Sequence, residues 1–181
     1  MDVVNVVGSG SLDVELDLSQ LAEDLDSSIA DFDPDHYPGV YLRFDDDAPL
    51  ITIYRTGKYI VTGAESDEEA YRYRDRFLDL LSEMGVIPDS DDLQFKIQNY
   101  VVVADLGNEQ NLESLAIGLG LEQTEYEPEQ FPGLVYRPAG HSCVLLIFAS
   151  GKAVIAGVTD KEEARDVFAD LEDTLNEYGL N

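Results

Sequence analysis

Sliding the chain against itself by 94 residues brings 23 of 87 positions into identity without a gap. A repeat of that length demands a fold built from one unit used twice. Asn5 falls on Asn99, Leu18 on Leu112, Leu21 on Leu115, Pro34 on Pro128, and Pro38 and Gly39 on Pro132 and Gly133. Arg43 falls on Arg137, Gly57 and Lys58 on Gly151 and Lys152, Gly63 on Gly157, and Gly85 on Gly179. Residues 1–87 and 95–181 therefore read as two copies, joined by an acidic linker, "PDSDDLQ", at 88–94.

Each copy reads in the same order. "VVNVV" and "IQNYVVV" are opening strands, followed by a short helix with Leu18, Leu21, Ala22 and Leu25, or Leu112, Leu115, Ala116 and Leu119, at helical spacing. Strands are predicted over Val40–Phe44, Leu50–Tyr54 and Tyr59–Thr62, against Leu134–Arg137, Val144–Phe148 and Ala153–Ala156. "YRTGKY" and "FASGKA" have the composition of tight hairpins. A long helix closes each copy, opened by Ser66 with Glu69 and by Asp160 with Glu163 as capping boxes. Its apolar stripe is Ala70, Tyr73, Phe77 and Leu81, or Ala164, Val167, Leu171 and Leu175. The expected class is α+β: antiparallel strands fused into one curved sheet, helices on one face and the other face left open.

The charge is extreme and evenly spread, with 11 Lys+Arg against 38 Asp+Glu and a net −27. Such a chain suits molar salt, where the Debye length is about 3 Å and self-repulsion is screened. The longest apolar run, Val144–Ala149, is far short of a membrane span, and no signal-peptide pattern opens the chain. A cytoplasmic, nucleoid-associated protein without membrane contact is expected. Cys143 has no partner for an internal disulfide and reads as a small buried hydrophobe.

The segments "FKIQN", "YEPEQFPGLVYR" and "LLIFASGK" within this duplicated frame resemble the TATA-box-binding protein family, in a halophilic archaeal form. The resemblance covers nearly the whole chain and is strongest in the second copy. It implies a saddle of two pseudo-symmetric repeats whose concave sheet lies on the minor groove of promoter DNA, with helices on the convex face. It implies a general transcription initiation factor that bends double-stranded TATA-box DNA and recruits transcription factor B into the RNA polymerase pre-initiation complex. No cofactor and no metal is implied.

By that resemblance Tyr37, Tyr54, Phe131 and Phe148 are wedges that enter base steps. Asn5, Val7, Ile60, Thr62, Asn99, Val101, Leu146 and Val154 meet the groove floor, the asparagine amides donating to the acceptors that A·T pairs present there. Arg43, Arg55, Thr56, Lys58, Arg137, Ser150 and Lys152 reach phosphates. Glu127, Glu129 and Gln130 contact transcription factor B.

The first copy departs from the family pattern. It carries tyrosine at both wedge positions, and "FDDDAP" places Asp45, Asp46 and Asp47 where cations are expected. Glu65 and Thr159 stand in place of basic residues, and Ala156 replaces a threonine that Thr62 keeps. These departures support an alternative, a diverged paralogue acting through protein–protein contacts with weak or no promoter binding. In the basic run "YRYRDRF", Arg72 and Arg76 share a helix face and are expected to pair with Glu68 or Asp79. Enzyme chemistry finds no motif. Neither "TGK" nor "SGK" has the earlier glycine of a P-loop, since Thr52 and Leu146 stand there. In the calcium-like stretch from Asp31, His36 and Leu42 occupy the glycine and glutamate positions.

Overall fold

A computed structural model describes residues 1–88 and 93–180. Most of the acidic linker expected at 88–94 lies outside the described residues. The chain divides into two compact units, Asn5–Gln98 (the first half) and Asn99–Asn181 with Met1–Val4 (the second half). Each has the same order of elements.

The first half contains β1 (Asp2–Ser11) from Asn5 onward, α1 (Leu18–Asp24), β2 (Ala30–Asp31), β3 (Gly39–Leu42), β4 (Leu50–Tyr54), β5 (Lys58–Ala64) and α2 (Asp67–Glu83). Its strands hydrogen-bond in the order β2-β3-β4-β5-β1, all antiparallel. The second half contains β6 (Phe95–Asp105) from Asn99 onward, its first four residues belonging to the first half, with α3 (Leu112–Leu119), β7 (Thr124–Glu125), β8 (Leu134–Tyr136), β9 (Val144–Ile147), β10 (Lys152–Val158) and α4 (Lys161–Tyr178). Their order is β6-β10-β9-β8-β7, again antiparallel. The opening strands run well beyond "VVNVV" and "IQNYVVV", and the two-residue edge strands β2 and β7 are additions to the predicted set.

The strands alternate because their side chains do. In the first half Val40, Leu42, Ile51, Ile53, Tyr59 and Val61 point to one face and bury against Leu18, Leu21 and Leu25 of the α1 segment and Phe77 and Leu81 of α2. In the second half Leu134, Leu145, Ile147, Ala153 and Ile155 are buried, as are Leu115 and Leu119 of α3 and Val167, Leu171 and Leu175 of α4. Cys143 is buried too, and burial pushes its thiol up. The helices take one face of each half-sheet, and the other face keeps its half-exposed residues.

The helix starts are fixed by side-chain caps. Asp17 Oδ1 accepts from the Ser19 and Gln20 amides at 3.0 and 3.1 Å, and Asn111 Oδ1 from Ser114 N at 2.9 Å. Ser66 Oγ and Asp160 Oδ1 accept from Glu69 N and Glu163 N, at 3.1 and 2.7 Å. The reciprocal carboxylates reach one residue further back than a standard capping box: Glu69 takes the Glu65 amide at 2.9 Å and Glu163 the Thr159 amide at 2.7 Å. Tyr73, expected in the apolar stripe of α2, is half-buried, its ring beside Phe44 at 6.2 Å and under the Arg72 guanidinium.

Candidate nucleic-acid interface

In the second half the face without helices is a continuous apolar floor. Val135 pairs with Leu146, Leu146 with Val154, and Val154 with Val103, so four branched side chains line up across β8, β9, β10 and β6. Val144, Ala156 and Val101 form the next row. All seven are half-buried, which in a strand means one side is open to whatever approaches. Val101, Leu146 and Val154 were expected there. Val103, Val135 and Val144 were not, although the period of two along each strand places them on the same face.

At the outer end of this floor stand Phe131 and Phe148, both half-buried, their ring centroids 5.9 Å apart and their planes at 65°. The backbone beneath each ring is pinned. Phe131 N donates to Glu127 O at 2.9 Å, and Phe148 exchanges hydrogen bonds with the hairpin through Lys152 O and Gly151 N, both at 2.9 Å. Gly133 lies under the pair, where a Cβ would stand 2.7 Å from Phe131 and 3.1 Å from Phe148.

The corresponding row of the first half is more polar: Tyr41 pairs with Thr52, Thr52 with Ile60, and Ile60 with Ser9. Leu50 pairs with Thr62, and Val7 is half-buried in β1. Three tyrosines gather at the outer end. The Tyr37 and Tyr41 rings stack at 4.8 Å and 21°, and Tyr37 and Tyr54 share a hydrogen bond of 2.6 Å between their hydroxyls. That bond, then burial, pushes the Tyr54 phenol up to about 12. Thr52 is left only 6 % exposed.

Asn5 uses its Oδ1 to accept the Gly63 amide at 2.7 Å. A backbone N–H needs an acceptor, so the carbonyl end of the amide faces Gly63 and the NH₂ end remains the donor. Asn99 is half-buried on β6.

The cations divide into two groups. Arg55, Lys58 and Lys152 are exposed with Thr56 and Ser150 around the hairpin tips. Arg43 Nη1 donates to Asp46 O at 3.3 Å, and Arg137 Nη1 pairs with Glu125 at 2.9 Å, so each already has an acceptor on its own chain. An open groove of about 1690 Å³ in the first half brings together Lys58, Ile60, Ser9 and Ser11 with Lys96 and Gln98. Gln98 Nε2 donates to Ser9 Oγ at 2.8 Å. Lys96 and Gln98 are additions to the expected site residues; they belong to "FKIQN", where the period of two along the strand sets both on one exposed side.

Glu127, Glu129 and Gln130 are exposed on the turn leading into Phe131, and Gln130 donates to the Glu127 carboxylate. The pairing expected for the basic run is corrected. Arg72 pairs with Glu69 at 2.9 Å, whose other oxygen already holds the helix start, in place of Glu68. Arg76 lies over the Phe44 ring at 4.1 Å and reaches Asp45 at 3.9 Å, in place of Asp79, because the aromatic face draws the guanidinium toward the β3–β4 loop. Among the described residues no group of three acidic, histidine or cysteine side chains could hold a metal, and no helix is long and apolar enough to cross a membrane.

The family model for "Transcription factor TFIID (or TATA-binding protein, TBP)" matches residues 1–84 and again 94–178. The chain is 46% identical to TATA-box-binding protein C of Halobacterium salinarum over 177 residues, covering 98% of each chain. It is 40% identical to the TATA-box-binding protein of Archaeoglobus fulgidus, covering 98% of this chain and 96% of that one. The solved structure of Methanococcus jannaschii TBP superposes with a TM-score of 0.84 at 41% identity, over 97% of this chain and 98% of that one.

Proposed function

The chain belongs to the TATA-box-binding protein family, and from that premise we propose that it is a general transcription initiation factor that binds the minor groove of TATA-box DNA, bends it and recruits transcription factor B. The observation that carries this reading is the helix-free apolar floor of the second half ending in the paired rings of Phe131 and Phe148. A floor of Val and Leu side chains matches a groove whose base edges offer few donors and many apolar contacts. Rings at its end can replace the stacking lost when a base step opens. The amide NH₂ groups of Asn5 and Asn99 donate to minor-groove acceptors, and Arg55, Lys58 and Lys152, with Thr56 and Ser150, take flanking phosphates. Arg43 and Arg137 join them by exchanging an on-chain oxygen for a phosphate. Val7, Ile60, Thr62, Val101, Leu146 and Val154 contact the floor of the groove, and Tyr37 and Tyr54 are the first-half wedges.

Residues 1–87 and 95–181 serve as the two repeats. Glu127, Glu129 and Gln130 serve as the contact for transcription factor B, through which the polymerase pre-initiation complex assembles in the cytoplasm. The activity is non-enzymatic. A diverged paralogue acting only through proteins is the second reading, favoured by the Tyr37–Tyr54 bond and the Arg137–Glu125 pair. Relatives named as TATA-box-binding proteins over nearly full length weigh against it.

Fluorescence anisotropy with a labelled TATA duplex and a scrambled duplex, in about molar KCl, tests the proposal. Preferential binding of the TATA duplex, weakened about tenfold or more by Phe148→Ala, is the expected result. Equal affinity for both duplexes would overturn it.

A further inference from the structure

The ring pairs at the ends of the two floors are built differently: tyrosines stand in place of both phenylalanines, and a third tyrosine, Tyr41, packs beside them. In the second half Phe131 and Phe148 meet edge to face, and the strand position one step inward is Val135, opposite a half-buried Leu146. In the first half that position is Tyr41. Its ring stacks on Tyr37 at 4.8 Å and 21°, Tyr37 is tied to Tyr54 by the 2.6 Å bond between hydroxyls, and Thr52 opposite Tyr41 is 6 % exposed. Gly39, on the same strand as Tyr41, leaves room for this arrangement, since a Cβ there would stand 3.1 Å from the Tyr37 ring and 3.3 Å from the Thr52 methyl.

We propose that Tyr41 is a positioning residue that holds the first-half ring pair closed, so that the two ends of a bound TATA box are opened unequally, strongly by Phe131 and Phe148 and weakly by Tyr37 and Tyr54. The inference rests on the minor-groove reading above. Entering a base step requires a ring to give up its present contacts. Phe131 and Phe148 give up one mutual edge contact of two apolar rings. Tyr37 must leave a stacked neighbour and also carry its hydroxyl away from Tyr54, into a stack of bases that offers the hydroxyl no equivalent partner. Flexible pyrimidine–purine steps kink at the lowest cost, so the end opened by the second half gains most from such a step. The consequence is a preferred direction of the protein on a box whose ends differ in flexibility.

The test uses the full chain in about molar KCl and TATA duplexes carrying 2-aminopurine at one end of the box or the other, since the probe brightens when its stacking is broken. Phe148→Ala assigns the ends: the end that loses its signal is the one seated by the second half. In the unaltered protein that end is expected to brighten strongly and the opposite end weakly. Tyr41→Val, which installs the residue type found at position 135, is expected to raise the weak end by about threefold or more while leaving the strong end unchanged. Tyr41→Phe keeps the stack and is expected to behave as the unaltered protein. Equal brightening of both ends in the unaltered protein, or no change at the weak end with Tyr41→Val, overturns the role of Tyr41 while the minor-groove reading stands. No brightening at either end overturns both. Circular dichroism melting of Tyr41→Val and Tyr41→Phe separates an unfolded variant from an altered one, and if Tyr41→Val fails to fold, Tyr41→Leu, which also removes the stacked ring, takes its place: a raised weak end supports the role of Tyr41 and an unchanged one overturns it.

Discussion

The hydroxyls of Tyr37 and Tyr54 lie 2.6 Å apart, a hydrogen bond between two side chains that sequence resemblance assigns to DNA. One of them donates, so the bond survives only while at least one phenol keeps its proton. Tyr54 is accordingly pushed up from 10.0 to about 12, first by this bond and then by burial. Tyr37→Phe removes the partner. Titration of phenolate absorbance should show Tyr54 ionising closer to 10 in that variant, one tyrosine moving out of the late-titrating group. An unchanged late group would mean the bond is not formed in solution.

Tyr59 gives a stability counterpart. Its ring is fully buried against Phe77 at 5.0 Å and Phe95 at 6.0 Å, and burial pushes its phenol up to about 12, the Arg74 charge opposing in part. The folded chain holds this proton more tightly than the unfolded chain does. The contribution is therefore present in full below pH 10 and is lost as pH rises from 10 through 12. Two pH units of difference correspond to about 2–3 kcal/mol. Urea unfolding at pH 9, 10.5 and 12 (~1.5 unit steps) should show the midpoint falling over that window, and Tyr59→Phe should fall less.

The hairpin glycines carry a sharper steric demand. Gly57 and Gly151 have φ of 77° and 86°, and a Cβ would stand 2.1 Å from Val14 O and 2.3 Å from Asn108 O. Neither backbone carbonyl can withdraw, because the neighbouring Leu12 and Leu16 amides, and Leu106 and Gln110 in the second half, are bonded to the same hairpins at 2.8–2.9 Å. Gly57→Ala and Gly151→Ala should each cost more than about 2 kcal/mol in denaturant unfolding, left-handed strain and clash together. A cost below ~1 kcal/mol would mean the hairpins are not held in this form.

These glycines also show what was legible in the chain before its structure. Residues whose role is played out on the backbone beside them, such as Gly57 in its hairpin and the caps Ser66 and Asp160, announce themselves locally, because turns and caps are decided within four or five residues. The core stripes were legible for the same reason. What was hidden depends on partners far along the chain. Ala30–Asp31 and Thr124–Glu125 are too short to show a period and exist only because β3 and β8 offer them an edge. Arg76 finds Asp45, 31 residues away (76 − 45), and Tyr41 gains its meaning from Tyr37 and Thr52. The first-half site was therefore read as two tyrosines when the structure makes it three.

On the proposed function, salt separates this protein from one that binds DNA by counterion release alone. Formal charge is −27, and two of the expected phosphate contacts, Arg43 and Arg137, already have oxygens from Asp46 and Glu125. Salt screens the repulsion between protein and duplex and weakens the Arg137–Glu125 pair, while the apolar floor is indifferent to it. Affinity for a TATA duplex should stay flat or rise as KCl goes from about 0.3 M to about 1.5 M. A fall of about a hundredfold over that range would place binding with the cations and not with the floor.

Asn5 allows fold and recognition to be pulled apart at one atom. Its Oδ1 accepts the Gly63 amide at 2.7 Å, and Gly63 sits with φ of 94° at the point where the pairing of β1 with β5 shifts register between Val6 and Gly8. Removing the acceptor with Asn5→Ala strands that amide and should cost about 1–2 kcal/mol. Asn5→Asp keeps an oxygen for Gly63 but replaces the NH₂ donor by a second, charged acceptor, which on the proposed function is turned toward the minor groove. On that reading a base edge that presents only acceptors meets repulsion in place of a hydrogen bond. Asn5→Asp should melt within about 1 kcal/mol of the unaltered chain and lose about tenfold or more in TATA affinity, whereas Asn5→Ala should lose stability first. If both variants bind as the unaltered chain does, the amide serves the bulge alone, and recognition of the duplex has to come from other side chains.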